Sequence, residues 1–411
     1  MSVFKFQIAA AALLLAASAA RGAEEPAAYL LLGRNVPPEI AELACPETST
    51  PGYTVIDLSI PGRRAAADRV LGGFYGGVFR RANVPMSVGH CRDFVPVPIP
   101  LAERRVPVER SDRASRGGLP ASGLTRAQIQ TYVDEVDQTR YMAALTTIVG
   151  FGSRYTFNAG NTNARNWLED QYDALSIPVS LQSFSYSSTT QYNVIGRIVG
   201  STRPDEFLVV GAHYDSLPSG STAPGAEDNG SGTAAVVELA KVFAAMPQPQ
   251  RSIEFVHFGV EEQGLVGSTR YASAIQSAGR APNLIGALTM DMVGYSSDAQ
   301  LDVLLETNAT GSALGDVQEA AAEEFTSLVV FRSLNPFGSD HVPFIQRGMK
   351  ATLAIENEWD TYPGYHNTGD TLARITPAQA AEVVRMQAAA LAMLANPDVV
   401  NAGVDGWMLY Q

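Results

Sequence analysis

The sequence predicts an α/β protein with a mixed, largely parallel central sheet covered by helices on both faces and a small α/β unit ahead of it. Three observations lead there. From residue 124 onward, short apolar runs that read as buried strands alternate with segments of helical pattern. Several of those runs stop on a His, a Glu or an Asp. An Arg-, Pro- and Gly-rich tract sets the first hundred residues apart from the rest.

In chain order, Lys5 precedes an unbroken apolar run from Ile8 to Ala17, and Ala17-Ser18-Ala19 follows as a cleavage site. Residues 1–20 therefore read as a secretory signal peptide, too short for a membrane span, and the mature protein is expected to be secreted or periplasmic. Residues 24–100 form a separate unit in which Tyr53 to Ile60 alternates like a strand and Arg63 to Phe79 has a helical pattern interrupted by glycines. Residues 101–123 have linker composition, open to proteolysis between Arg104 and Arg116. The larger unit, 124–398, begins with a helix capped by Thr125 and running through Tyr132. Strands are predicted at Phe207–Ala212, Ile253–Gly259, Ile285–Met292 and Lys350–Glu356. Helices are predicted at Gly232–Met246, Val266–Ala274 and Pro377–Leu394, the last long and amphipathic. Residues 399–411 are a tail.

Composition narrows the function. With 46% hydrophobic and 17% charged residues the chain has the make-up of a globular protein. Its net charge of −13 is uneven: Lys5 and Arg21 carry +2, residues 24–116 carry +1, and residues 117–411 carry −16. An acidic body of this kind repels nucleic acid and anionic lipid and favours a cationic partner such as a peptide amino terminus. No membrane association is expected once the signal is removed. In an oxidising compartment the only two cysteines, Cys45 and Cys91, are expected to pair.

Six metal-compatible residues then follow in order: His213 in GAHYDS, Asp228 in EDNGSG, Glu261 and Glu262 in GVEEQG, Asp291 in MDMVGY and His366 in YHNTGD. His213, Glu261 and Asp291 fall at the carboxyl ends of three predicted strands, where ligands collect in open α/β sheets. Two imidazoles, three carboxylate ligands and one spare carboxylate are what a pair of zinc ions sharing one water requires. A charged group after a run such as IGALTM is costly unless it is paired or holds a metal.

This ordered series resembles the secreted co-catalytic di-zinc exopeptidases, a family that includes bacterial leucyl-type aminopeptidases and glutamate carboxypeptidase. The resemblance covers roughly residues 125 to 398 and implies the zinc-exopeptidase fold with two Zn2+ ions per subunit. It makes Asp228 the carboxylate bridging both ions, with a cis peptide to Asn229. His213 and Asp291 complete one site, and Glu262 and His366 the other. Glu261 is then the general base and acid, and Asp215 the partner that orients His213. Tyr365 and Asp370 are expected to position His366. His257 reads as a packed core residue, Ser339 and Asp340 as the pocket floor, and His341 as outside the metal sites, since six residues already satisfy both ions. Met292, Tyr295, Phe337, Phe344, Trp359 and Tyr365 are candidates for an apolar pocket taking the first residue of a substrate. Relatives carry an oxyanion-stabilising tyrosine where this chain has Pro336, which leaves Tyr295 or Tyr365 as donors, or zinc alone.

The expected activity is removal of apolar, leucine-like residues from peptides with a free amino terminus. A glutamate-releasing carboxypeptidase needs arginines converging on substrate carboxylates, and only Arg270, Arg332 and Arg347 lie near the motifs. A glutaminyl-cyclase-like or non-catalytic relative would have lost ligands that remain here. For residues 24–100 two readings stand: an accessory domain, or a pro-segment that inhibits the acidic cleft until the linker is cut.

Overall fold

The computed structural model describes residues 119–397, apart from Ser219, Ser221, Asn335, Phe337 and Asp360, together with the backbone of four strands nearer the N-terminus. The expectations for the signal segment, the Arg63–Phe79 helix, the Cys45–Cys91 pair, the C-terminal tail and Phe337 lie outside these residues. The chain divides into two compact units, Met1–Pro100 and Leu101–Gln411. In the first, β1 (Ala27–Leu32) pairs antiparallel with β2 (Thr54–Asp57) on one side and β3 (Arg80–Val84) on the other.

The second unit is built on nine strands. They are β4 (Val106–Pro107), β5 (Val179–Tyr186), β6 (Thr189–Ile198), β7 (Arg203–His213), β8 (Arg251–Phe258), β9 (Leu284–Met290), β10 (Asp302–Glu306), β11 (Val329–Ser333) and β12 (Ala351–Ile355). Their order across the sheet is β4-β11-β10-β12-β9-β7-β8-β6-β5. The middle four, β12, β9, β7 and β8, run parallel, while the flanks are largely antiparallel. Because β8 lies on one side of β7 and β9 on the other, the chain reverses its direction across the sheet at β7. That reversal opens a crevice at the carboxyl ends of these three strands.

Alternation along β7 shows why the sheet needs cover on both faces. Leu208, Val210 and Ala212 join the larger core, and Phe207 and Val209 the smaller one. The larger face carries α1 (Arg126–Asp134), α2 (Gln138–Gly150), α3 (Ala159–Ala174), α4 (Gly232–Ala245), α6 (Ser312–Phe325) and α8 (Pro377–Ala395). The other face carries α5 (Val266–Ser277) and the single turn α7 (Val342–Ile345). Thr125 caps α1 as expected, in a reciprocal box with Gln128. α8 departs from the amphipathic expectation. It packs against α1, α2, α4 and α6, so Ala380, Val383, Ala388, Ala390 and Ala392 are buried around most of its circumference. Its small side chains suit that position, because they let neighbouring helices approach closely.

Candidate metal centre

The three strand ends at the reversal deliver the first ligand candidates. His213 is the last residue of β7, Asp291 follows β9 directly, and Glu261 and Glu262 follow β8 after a tight turn. Asp228 comes from a wide helical turn, Ala226–Ser231, which is interrupted at Asp228 and Asn229 and precedes α4. The Asp228–Asn229 peptide is cis, as the resemblance implied. His366 arrives from the loop ahead of α8.

All six converge. His213 Nε2 lies 3.4 Å from Asp228 Oδ1, 3.4 Å from Asp291 Oδ1 and 3.7 Å from Glu261 Oε2. His366 Nε2 lies 3.1 Å from Asp228 Oδ2 and 3.2 Å from Glu262 Oε2. Two potential ligand sets result, His213–Asp228–Asp291 and Asp228–Glu262–His366, each with its ligand atoms within 4.8 Å of one another. Asp228 belongs to both, turning one oxygen to each.

The donor set fits a pair of cations. Four carboxylates and the His213 imidazole are buried together, with the half-buried His366 beside them. Both ring nitrogens of His213, Glu262 Oε1 and Asp291 Oδ1 have no hydrogen-bond partner. Such atoms are costly to bury unless something binds them. Against burial, which pushes it upward, contacts with His213 and His366 hold the Asp228 carboxyl below the ordinary carboxylate range. Burial, reinforced by Asp340, Glu262 and Asp291, pushes the Glu261 carboxyl well above that range despite the pull of His213.

A frame of backbone N–H groups and one buried cation holds these side chains. Asp215 is 3.6 Å from His213 Nδ1. Its clearer contacts are with the glutamate pair: its two oxygens accept from the N–H groups of Glu261 and Glu262 at 3.1 and 3.2 Å. Asp370 likewise accepts from the N–H groups of Glu227 and Asp228 at 2.8 and 2.9 Å, and from the Tyr362 hydroxyl at 2.7 Å. It therefore fixes the main chain at Asp228, whereas the sequence had suggested that it positions His366. Asn229 Oδ1 accepts from Gly232 N–H at the start of α4, so the neighbour of Asp228 does the capping. The Ser339 hydroxyl donates to Asp291 Oδ2, which leaves Oδ1 turned to His213.

Arg154 is the residue that sequence reasoning missed. It is fully buried and donates to the carbonyls of Tyr214, Pro224 and Gly225 at 2.8, 2.6 and 2.8 Å. Those carbonyls flank His213 on one side and lead into Asp228 on the other. Gly225 has φ +49°, and a Cβ there would lie 2.5 Å from Asp228 O and 3.0 Å from the guanidinium. Nothing in the local pattern SRYT marked Arg154, because its partners are main-chain carbonyls distant in sequence. Positive φ at the non-glycine residues Val260, Met292 and His366 is a further mark of the site, since such conformations each cost about 1–3 kcal/mol.

The pocket candidates divide. Met292 clusters with Leu353, Ile355 and Tyr362, with Tyr295, Trp359 and Tyr365 packed against them. Phe344 does not join that set. Its ring is fully buried against Phe258 and Tyr271 in the smaller of the two large cores, so it is core. His257 is also core, with Nε2 2.8 Å from the Tyr172 hydroxyl. Ser339 supports Asp291, while His341 is buried and absent from both ligand sets.

Comparison with known proteins agrees with this geometry. Residues 193–391 match the family model of peptidase family M28. The chain is 29% identical over 267 residues to a probable aminopeptidase of Saccharomyces cerevisiae, covering 61% of this chain and 71% of that protein. It is 32% identical over 205 residues to the aminopeptidase YwaD of Bacillus subtilis, covering 48% of this chain but only 43% of that relative. Among solved structures, the LapA aminopeptidase of Legionella pneumophila matches with a TM-score of 0.62 at 18% identity, covering 91% of this chain and all (100%) of LapA. A zinc aminopeptidase from Bacillus subtilis matches with a TM-score of 0.57 at 18% identity, covering 64% of this chain and 98% of its own.

Proposed function

We propose that this chain, whose residues 193–391 match the model of peptidase family M28, is an exported metallo-exopeptidase: an aminopeptidase working with two zinc ions and preferring apolar amino-terminal residues. The observation that carries the reading is Asp228, whose two oxygens face His213 and His366 respectively. His213, Asp228 and Asp291 would hold one zinc, and Asp228, Glu262 and His366 the other. Bound there, the ions would supply Lewis acidity, easing deprotonation of a water and polarising the scissile carbonyl.

The protein's own groups carry the remaining chemistry. Glu261 faces the centre without belonging to either ligand set. Its burial raises its proton affinity, which suits a group that takes the proton of the attacking water and passes it to the leaving amine. Asp215 locks the main chain of Glu261 and Glu262, so base and ligand keep their separate directions. Of the two candidate oxyanion donors, Tyr365 is better placed than Tyr295. It stacks on His366 at 3.8 Å between ring centroids, and burial together with Asp228 and Glu262 keeps its hydroxyl protonated and able to donate. Met292, Tyr295, Trp359 and Tyr365 would accept the apolar first side chain, whose free amine the acidic centre favours.

A glutamate-releasing carboxypeptidase is disfavoured. Arg332 is engaged by Asp316 and Glu319, and Arg347 by Ser273 and Pro343. Export rests on the segment Ile8–Ala19, and an inhibitory role for residues 24–100 on the charge contrast with the acidic body. Equal activity before and after cleavage between Arg104 and Arg116 would exclude inhibition.

Hydrolysis of leucine p-nitroanilide beside its N-acetyl derivative tests the main reading. The free-amine substrate alone should be cut, with activity lost on chelation and restored by zinc. Turnover of the acetylated compound at a similar rate would refute an aminopeptidase.

A further inference from the structure

One aromatic cluster near the centre has no part in the chemistry above. Tyr155 and Phe157 belong to the loop between α2 and α3, and Tyr186 is the last residue of β5. Phe157 stacks on Tyr186 with ring centroids 6.1 Å apart and planes 15° off parallel, and Tyr155 meets Phe157 edge-on at 5.7 Å. Phe157 nevertheless remains 48% exposed. A fixed but half-solvated aromatic stack is costly in water and marks a surface that receives something apolar.

Sheet register places this cluster at the mouth of the crevice. β5 runs parallel to β8, because both pair antiparallel with β6. Val194 of β6 stands opposite His257, and Ser183 of β5 opposite Tyr192. β8 ends at Phe258, level with Gln182, so β5 continues for four residues, or roughly 13 Å, past the edge that presents the ligands. Tyr186 is the tip of that extension. The loop bearing Phe157 is tied to the same edge. The Thr156 hydroxyl bonds to Gln263, the neighbour of Glu262, and Asn158 reaches the Gly220 carbonyl at 3.3 Å. The N–H of Arg154 donates to Ser216 Oγ at 3.1 Å.

The apolar set around Met292 lies the other way along the sheet, toward β12, which supplies Leu353 and Ile355. Apolar walls thus stand on both sides of the centre, one toward β12 and one toward β5. An exopeptidase releasing one residue needs one wall for that residue, and the peptide continues past the scissile bond. We infer that Tyr155, Phe157 and Tyr186 form a binding surface for the residue after the scissile bond, favouring a large apolar or aromatic side chain there. This specificity rests on the aminopeptidase reading.

Steady-state hydrolysis of Leu-Phe-amide and Leu-Gly-amide by the zinc-loaded full chain tests it. The parent should favour Leu-Phe-amide in kcat/KM by about tenfold or more, as expected when an aromatic ring fills an apolar site. In Phe157→Ser and Tyr186→Ser that ratio should fall to about threefold or less, through a raised KM for Leu-Phe-amide. Val199→Ser, which removes an equally exposed side chain beyond the other end of β6, should keep the parental ratio. Thermal melting reports folding of each variant. A parent that cuts both peptides equally, or well-folded variants that retain the full preference, would overturn the inference while leaving the aminopeptidase standing. A zinc-loaded parent inert on both peptides before and after cleavage between Arg104 and Arg116 would overturn both.

Discussion

Replacing Arg154 by Met should damage stability and metal affinity together. Burial lowers the guanidinium pKa to about 10 against the pull of Asp370, Asp215, Asp228 and Glu262, so the group is a cation at neutral pH. Its side chain makes three charge-assisted hydrogen bonds to carbonyls, each worth about 1.5–3 kcal/mol. Relief from burying a charge returns several kcal/mol, so the net loss on removing one partner of such a network is about 3–5 kcal/mol. For a unit of this size that lowers the melting temperature by about 6–20 °C. Arg154→Lys should fall between parent and Met variant, because an ammonium cannot reproduce a planar fork aimed at three fixed acceptors. The freed carbonyls belong to Tyr214, Pro224 and Gly225, which anchor His213 and Asp228. Zinc affinity, measured by competition with a chromogenic chelator, should therefore drop more than about tenfold in Arg154→Met. Melting within 2 °C or so of the parent, with unchanged zinc affinity, would refute the reasoning, since it would mean that the three carbonyls find equivalent partners without Arg154.

Three further outcomes follow from the same geometry. Glu261→Gln should lower kcat by about 10²–10⁴ while zinc content stays parental, and retention of more than a tenth of the activity would remove Glu261 as the base. Asp228→Asn should weaken both metal sites in equilibrium dialysis, whereas His366→Ala should weaken only one; two tightly held ions in the Asn variant would exclude bridging. His257 is held neutral by burial, which lowers its pKa to about 3 from an unfolded value near 6.5. The unfolded chain then binds the extra proton between these values, so this ring costs stability as pH falls through that window. In chelated protein, His257→Gln should lose stability less steeply between pH 6 and 4, and parallel pH profiles would contradict this.

The centre was legible in the sequence to the extent that strand ends were legible. His213, Glu261 and Asp291 each terminate an apolar run, so one local signal located each of them. Asp228 and His366 sit on irregular backbone, and only the ordered resemblance assigned them. The supporting frame was mostly illegible, because its bonds join side chains to main-chain atoms remote in sequence. Asp370 lies 142 residues from the Asp228 N–H that it accepts, and Arg154 lies 71 from Gly225. Phe344 was misplaced for a related reason. Its nearness to GSDH in sequence suggested a pocket, but α7 turns it under the sheet against Phe258. The burial of α8 around most of its circumference also depends on tertiary packing. Its alanines are compatible with an exposed helix as well as a buried one.

The division between partnered and unpartnered atoms explains how a chain can bury so many acids in one place. Asp215, Asp370 and Glu227 each spend oxygens on pairs of backbone N–H groups: Glu261 and Glu262, Glu227 and Asp228, and Gly294 and Tyr295. These three acids are solvated by the fold itself, and they hold the ligand-bearing main chain in place. Asp291 divides its own oxygens, one accepting from Ser339 and the other turned to His213 without a hydrogen-bond partner. The unpartnered atoms at the centre, His213 Nε2, Asp291 Oδ1 and Glu262 Oε1, would impose a large cost if they served only stability. A fold selected for stability alone would supply them with donors, as it does a few ångströms away. Their lack of partners beside main chain so firmly held favours preorganisation for cations, with the rigidity coming from the frame and the affinity from the atoms it leaves unsatisfied.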